Sequence, residues 1–388
     1  MRQYNERVVL QAIRLHGNVP KAELSRLTHL STQTVSLIID RLYGDGLVIK
    51  QEPVRGKVGQ PSVPIALNPD GAFSIGIKIG RRSCDILLLD FCGQVRERAS
   101  VSYDFPDPEV LFGHVQKQLT AIAFSLGTAS AERIVGIGIA APFSLGGWQN
   151  LLGVSVERSR AWDAIDIEAR VQAMTPIPVQ MVKDTAAACV AELVAGRGRN
   201  VRSFVYLFID TFIGGGVVLD SHWRSGLHGN AGAIASMPLH AAQAGQAAPA
   251  QVLSVASLYQ LEQHFTQAGL DASACYDDRA MHGQYAQYTE LWIAQASSAI
   301  ALVIQNSACV LDMDAVIIDG LLSRSLLTKL RSAIGLALRN YSLEGISMPQ
   351  VLVGAIGADA RAIGGGLLPL YSSFAPDREL FLKLDRVS

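Results

Sequence analysis

The chain is poor in charge: only 17% of its 388 residues are Asp, Glu, Lys or Arg, while 49% are apolar. That balance excludes a disordered chain and supports large buried cores. Cysteine is scarce and scattered. Cys84, Cys92, Cys189, Cys275 and Cys309 form no Cys-x-x-Cys pair, which fits reduced thiols rather than a disulfide framework. No His/Cys cluster has zinc spacing, so no metal is expected. No apolar run is read as reaching the roughly eighteen residues that span a bilayer. Met1-Arg2-Gln3-Tyr4-Asn5-Glu6-Arg7 precedes only a short apolar stretch, and no signal peptide is read there. These absences predict a cytoplasmic protein without a membrane partner. The length predicts two or three domains.

The net charge of −1 hides an asymmetry. Residues 1–68 hold nine Lys/Arg against five Asp/Glu; the remainder holds 24 against 29. A basic head on an acidic body suits a head that meets phosphates. In that head Val9, Leu10 and Ile13 repeat at helical spacing, giving a first helix that ends near His16-Gly17-Asn18. Pro20 suits the first turn of a second helix, which turns Leu24 and Leu27 inward. Ser31 is a good N-cap for a third. There Val35, Ile38, Ile39 and Leu42 form a buried stripe, and the opposite face shows Thr32, Gln33, Ser36, Leu37 and Asp40. Small polar groups and an amide near a helix N-terminus are what a major groove accepts.

The third helix stops at Gly44-Asp45-Gly46. Leu47–Lys50 reads as a strand and Ile65–Leu67 as its return, with the basic, glycine-rich Arg55-Gly56-Lys57-Val58-Gly59-Gln60-Pro61 between them. The ordered set predicts a winged helix-turn-helix over 1–68. Thr32, Gln33 and Ser36 are the candidate base readers; Arg41, Arg55 and Lys57 are the candidate backbone contacts on double-stranded DNA. A plain helical bundle that packs on the body or on a second subunit is the structural alternative.

Beyond residue 70 the pattern is α/β. Phe73–Gly80 and Cys84–Asp90 read as apolar strands, 108–126 as a helix and Ile134–Ala140 as another strand. A similar succession recurs near 203–219, with helices around 284–310 and 321–340. Two βββαβα-like halves with a cleft between them give an actin-like, two-lobed body. The expected division is 71–185 with a C-terminal helix near 359–388 for the first lobe, and 186–358 for the second.

The chain resembles the ROK family of sugar-responsive repressors and sugar kinases over almost its whole length. Gly59-Gln60-Pro61-Ser62 stands where the repressors carry a Gly-Arg-Pro-Ser-like linker. Val182-Lys183-Asp184-Thr185-Ala186-Ala187-Ala188 matches the segment holding the kinase base. Ile213-Gly214-Gly215-Gly216-Val217, Gly229–Ser236 and Ile356–Gly366 match the family's further glycine-rich segments. Against the kinase pattern, Lys78 replaces the acid that helps place the metal and nucleotide, and a lysine cannot hold Mg²⁺. Asp210-Thr211-Phe212 replaces Gly-Thr-Gly. Ala233 and Ser236 replace the family's Glu and zinc-ligating His, and residues 237–253 contain no cysteine.

The resemblance implies a transcriptional repressor of carbohydrate uptake or catabolism genes. It implies no enzyme activity, no cofactor and no structural zinc. A sugar-like effector in the cleft is expected near Lys78, Lys183, Asp184, His228 and Asn230, with a homodimer or tetramer on the operator. Two readings of the basic residues stay open: Lys78, Arg81 and Lys183 favour an anionic effector, or Lys78 pairs with Asp184 as an internal strut. Asp184 also suits a helix cap. The rivals are a regulator whose body serves only oligomerisation and, third, a working sugar kinase.

Overall fold

The N-terminal apolar stripes fold as helices. In the computed structural model, which describes residues 2–53, 62–147, 153–245, 247–342 and 344–376, α1 spans Arg2–His16, α2 Lys21–Thr28 and α3 Thr32–Gly44. They bury Val9, Leu10 and Ile13, then Leu24, then Val35, Ile38, Ile39 and Leu42. Ser31 caps α3: its Oγ accepts the Thr34 N–H at 3.2 Å, satisfying one orphan donor of the first turn. Pro20 stands one place earlier than the sequence suggests. It is the extended residue before α2, at φ −64° and ψ 150°. It also belongs to the short strand β1 (Val19–Pro20), which joins β2 (Val48–Lys50) and β3 (Pro64–Leu67) in an antiparallel sheet of order β1-β3-β2.

The chain divides into two compact units, residues 1–187 with 361–388, and residues 188–360. The first unit includes the head. Its main sheet comprises β4 (Phe73–Ile79), β5 (Ser83–Asp90), β6 (Val95–Ser102), β7 (Ile134–Ala141) and β8 (Val179–Lys183), in the order β6-β5-β4-β7-β8. β4 pairs antiparallel with β5 and parallel with β7, and β7 pairs parallel with β8. The crossover to β7 carries α4 (Pro108–Leu126), started by Asp107, whose Oδ1 accepts the Val110 N–H at 3.1 Å. Ile75, Ile77 and Ile79 share a core with Leu111, Phe112, Val115 and Leu119 of α4. Strand alternation therefore gives the opposite face to Ser74, Gly76 and Lys78. After β8 the chain runs directly into α5 (Asp184–Ala195).

The second unit repeats the layout. β9 (Phe204–Ile209), β10 (Gly214–Leu219), β11 (His222–Arg224), β12 (Ala315–Gly320) and β13 (Gln350–Val353) follow the order β11-β10-β9-β12-β13. Its core is completed by α6 (Leu258–Gln267), α7 (Ala286–Leu311) and α8 (Arg324–Ala337). Helix α7 corrects one expectation. By length and composition it is apolar enough to cross a membrane. Its apolar content has another use: Trp292, Ala296, Ile300 and Ile304 are fully buried in the second unit's core.

The last described helix, α9 (Ala360–Phe374), lies on the Gly76 face of the first sheet at backbone distance. A Cβ on Gly76 would stand 2.0 Å from the Ala362 carbonyl oxygen, one on Gly138 1.9 Å from that of Gly365, and one on Gly364 1.8 Å from that of Ala187. Glycine is therefore needed on both sides of this seam. Ser74 Oγ donates to the Gly366 carbonyl at 2.7 Å inside it. Helix α9 ends at Phe374, and residues 377–388 of the expected C-terminal helix lie outside the described residues.

Candidate nucleic-acid interface and ligand site

The α3 face opposite the buried stripe carries Thr32, Gln33, Leu37 and Asp40, all exposed, with Ser36 half-buried. Leu37 is 65% exposed, in the middle of the polar set. Asp40 pairs with Lys21 of α2 at 3.5 Å, which tempers a charge that phosphates would otherwise repel. Arg41 is held within the head: Nη1 meets Glu6 of α1 at 3.1 Å and Nε donates to the Leu37 carbonyl at 3.2 Å. Those contacts hold two of its nitrogens inside the head. Arg55 and Lys57 lie outside the described residues.

A second cluster sits at the carboxyl ends of the first unit's parallel strands, the end where open α/β sheets bind ligands. Lys78 is nearly buried. Its Nζ donates to Asp85 Oδ2 at 3.0 Å and to Ser83 Oγ. Asp85 faces Lys78 across the β4–β5 register, and its Oδ1 accepts from Ser100 Oγ at 2.7 Å. Burial pushes the Asp85 carboxyl up, but the Lys78 charge, the Ser100 and Lys78 hydrogen bonds and the Arg361 charge outweigh it and hold it below its ordinary 3.8.

Asp184 opens α5. Its Oδ1 accepts the Thr185 N–H at 2.8 Å, and its Oδ2 lies 3.6 Å from Nη1 of the buried Arg361 at the start of α9. The strut expected between Lys78 and Asp184 is thus replaced by two pairs, Lys78–Asp85 and Arg361–Asp184. The reason is register: the β4–β5 hairpin puts an acid directly across from Lys78. Lys183 goes to the other face. Val179 and Met181 pack into the α4-side core, and alternation turns Lys183 with them. Burial lowers its pKa, against the raising effect of Asp184.

The lowered Asp85 carboxyl stabilises the fold above pH 3.8, and that contribution is lost as pH falls through the lowered folded value. Asp85→Asn is therefore expected to unfold at lower urea than the parent at neutral pH. The gap should close on acidification below 3.8, measured by urea titration across pH.

His228 and Asn230 are both exposed, in the second unit after β11. The glycine-rich segments of that unit carry backbone groups already engaged within the unit. The Ile213 N–H donates to Ser257 Oγ at 3.0 Å, and the Asp210 and Thr211 carbonyls accept from Leu258 and Tyr259 of α6. Glu192 accepts the Ala355 and Ile356 N–H groups at 3.0 and 3.3 Å, and Asp319 accepts that of Gly357 at 2.7 Å. A row of N–H groups of this kind is a ready anion nest. Here carboxylates fill it. Among the described residues, no group of three or more His, Cys, Asp or Glu is placed to hold a metal ion.

Sequence reasoning missed Asp85, Ser100 and Arg361. The signal for Asp85 was the short Arg81-Arg82 turn, which fixes the residue facing Lys78. Arg361 was in view only as part of a glycine-rich segment.

Comparison with known proteins adds four findings. A model described as ROK family matches residues 74–368. The xylose repressor of Bacillus subtilis is 24% identical over 62% of this chain and 61% of its own length, so the chain spans about three-fifths of that relative. A solved structure described as a ROK family transcriptional regulator, homolog of E. coli MLC protein, superposes with a TM-score of 0.68 at 21% identity, over 96% of this chain and 97% of that one. The ROK hexokinase of Thermus thermophilus superposes at 0.56 and 21% identity, over 76% of this chain and 97% of the hexokinase. At these identities the structural likeness is one of fold.

Proposed function

Because the chain belongs to the ROK family, we propose that it is a DNA-binding transcriptional repressor of carbohydrate uptake or catabolism genes, with a winged helix-turn-helix head and an actin-like body that takes a small sugar-like effector. The observation that carries the reading is α3: a Ser31-capped helix with one buried stripe and an exposed face of Thr32, Gln33 and Leu37. Xylose repressors and other proteins named transcriptional regulators are among its relatives. Thr32, Gln33 and Ser36 read base edges, and Arg41, Arg55 and Lys57 meet the backbone. One head offers a small contact area, so a homodimer or tetramer on a two-fold operator is the working form.

The chain is not an enzyme in this reading. Phosphoryl transfer rests on metal and donor groups around the phosphates. Lys78 sits where the metal-placing acid would be, and the carboxylates of Glu192 and Asp319 occupy the N–H groups of the 355–357 loop.

The effector is neutral. Lys78 already faces Asp85, and Asp184 already faces Arg361, so the cluster's charges are matched inside the protein. The same matching favours the second reading, a body that binds no ligand and only oligomerises.

The test is fluorescence anisotropy against DNA from upstream of the chain's own gene, at fixed salt because phosphate contacts make affinity salt-dependent. Neutral sugars are expected to weaken specific binding, and sugar phosphates and sugar acids to leave it unchanged. Specific binding that no ligand alters establishes the ligand-blind regulator. Binding that is weak and sequence-blind throughout removes the operator function.

A further inference from the structure

Helix α9 touches the charged cluster at one end and α1 of the head at the other. At its start, buried Arg361 faces Asp184 at 3.6 Å. At its end, Tyr371 meets α1 of the head: the Arg14 guanidinium lies 5.5 Å from the Tyr371 ring centroid. Arg14 also lies 5.0 Å from the Phe91 centroid and donates to the Phe91 carbonyl at 2.8 Å. Phe91 in turn packs edge-on against Phe374, the last residue of α9, at 4.7 Å. The planar guanidinium makes a stacked and a hydrogen-bonded contact at once, which a lysine would not reproduce. Arg361 and Tyr371 lie on one helix, about 15 Å apart along its axis.

The seam under α9 makes it a lever rather than a cushion. Gly76, Gly138 and Gly364 bring backbone against backbone, so a displacement there meets carbonyls rather than side chains that could change rotamer. Close-packed interiors of this kind transmit strain.

We propose that Arg14 is the positioning residue that couples the DNA-reading head to the Asp184–Arg361 pair through α9, which carries Pro369 between the two contacts. This rests on the reading of the head given above, and it adds the route by which a ligand at the body's cluster reaches α3. A ligand that draws Asp184 from Arg361 frees the start of α9, and the change arrives at α1 through Arg14. Coupling of this kind is reciprocal.

Hydrogen-exchange mass spectrometry on the full chain, without DNA, tests it. Asp184→Asn weakens the pair and is expected to speed exchange in α1 by roughly two- to thirtyfold. In an Arg14→Ala background the same change is expected to add nothing to α1. Arg170→Ala, which cuts the exposed Arg170–Glu109 pair, leaves α1 unchanged. Exchange that rises in α9 but not in α1 overturns the proposal, as does an equal increment in both backgrounds. If Asp184→Asn does not fold, Arg14→Ala is read in reverse: faster exchange at 183–187 and 360–364 supports the coupling, and unchanged exchange there overturns it. The readout needs no operator. A relay without DNA binding removes only the functional reading, and DNA binding without a relay removes only this proposal.

Discussion

Gly138→Ala is expected to destabilise the first unit by about 3 kcal/mol or more, while Gly113→Ala stabilises it. The added Cβ at 138 would stand 1.9 Å from the Gly365 carbonyl oxygen, which is backbone and has no rotamer to yield. The helix that carries that oxygen is fixed at both ends of the seam, by the Ser74 bond to Gly366 and by the Ala187 carbonyl against Gly364. Relief requires α9 to lift off the sheet and expose its buried face, including Leu367 and Leu370. Overpacking usually costs about 1–3 kcal/mol, and a backbone clash of this depth belongs at or beyond the upper end. Gly113 lies exposed in α4, and a methyl group added there meets nothing within 4 Å, so alanine should gain about 0.5–1 kcal/mol from helix propensity. Urea midpoints of the two variants decide it. A Gly138→Ala protein as stable as the parent would mean that the seam is looser than these distances describe.

The seam also shows where sequence reasoning reaches and where it stops. Gly364-Gly365-Gly366 was visible as a family glycine segment, but its partners were not. They are Gly76 and Gly138 on strands and Ala187 on a helix, and only the folded topology brings them together. The head was more legible because its determinants are local. Ser31 capping α3, and Val35, Ile38, Ile39 and Leu42 on one stripe, follow from spacings of a few residues. The α/β body and its strands were legible in the same way, as apolar runs between turns.

The charged cluster was half legible. Lys78 and Asp184 stood out because they occupy marked positions in the family pattern. Their partners depend on pairing register and on a helix from the far end of the chain. Asp85 owes its place to a tight hairpin, and Arg361 to the return of the chain to the first unit after residue 360. The Lys78–Asp184 strut, one of the two readings left open, gives way to other pairs for that reason: local chemistry named two charges but not which opposite charge each would meet. Helix α7 is the same lesson in apolar form. Its composition reads equally as a membrane span or a core helix, and only its packing around Trp292 and Ile300 decides.

The second large effect is expected in the head. Gln33→Ala should lower specific DNA binding while leaving sequence-blind binding and its salt slope intact. Gln33 is exposed in the first turn of α3 and carries both a donor and an acceptor, the pair that fits the adenine edge in the major groove. Losing one bidentate base contact costs about 1–3 kcal/mol, or roughly five- to more than a hundredfold in affinity for the operator. Phosphate contacts come from other groups, so the counterion term does not change. Arg41→Ala makes the contrast. Arg41 is tied to Glu6 and to its own helix, so part of its charge is already offset inside the head, and its net contribution is small. Anisotropy titrations over a salt series separate the two residues. Gln33→Ala shifts the specific curve without changing its slope, whereas Arg41→Ala moves specific and non-specific binding together by little. Equal losses on operator and random DNA for Gln33→Ala would place that side chain on the backbone and move base reading to Thr32, Ser36 and Leu37.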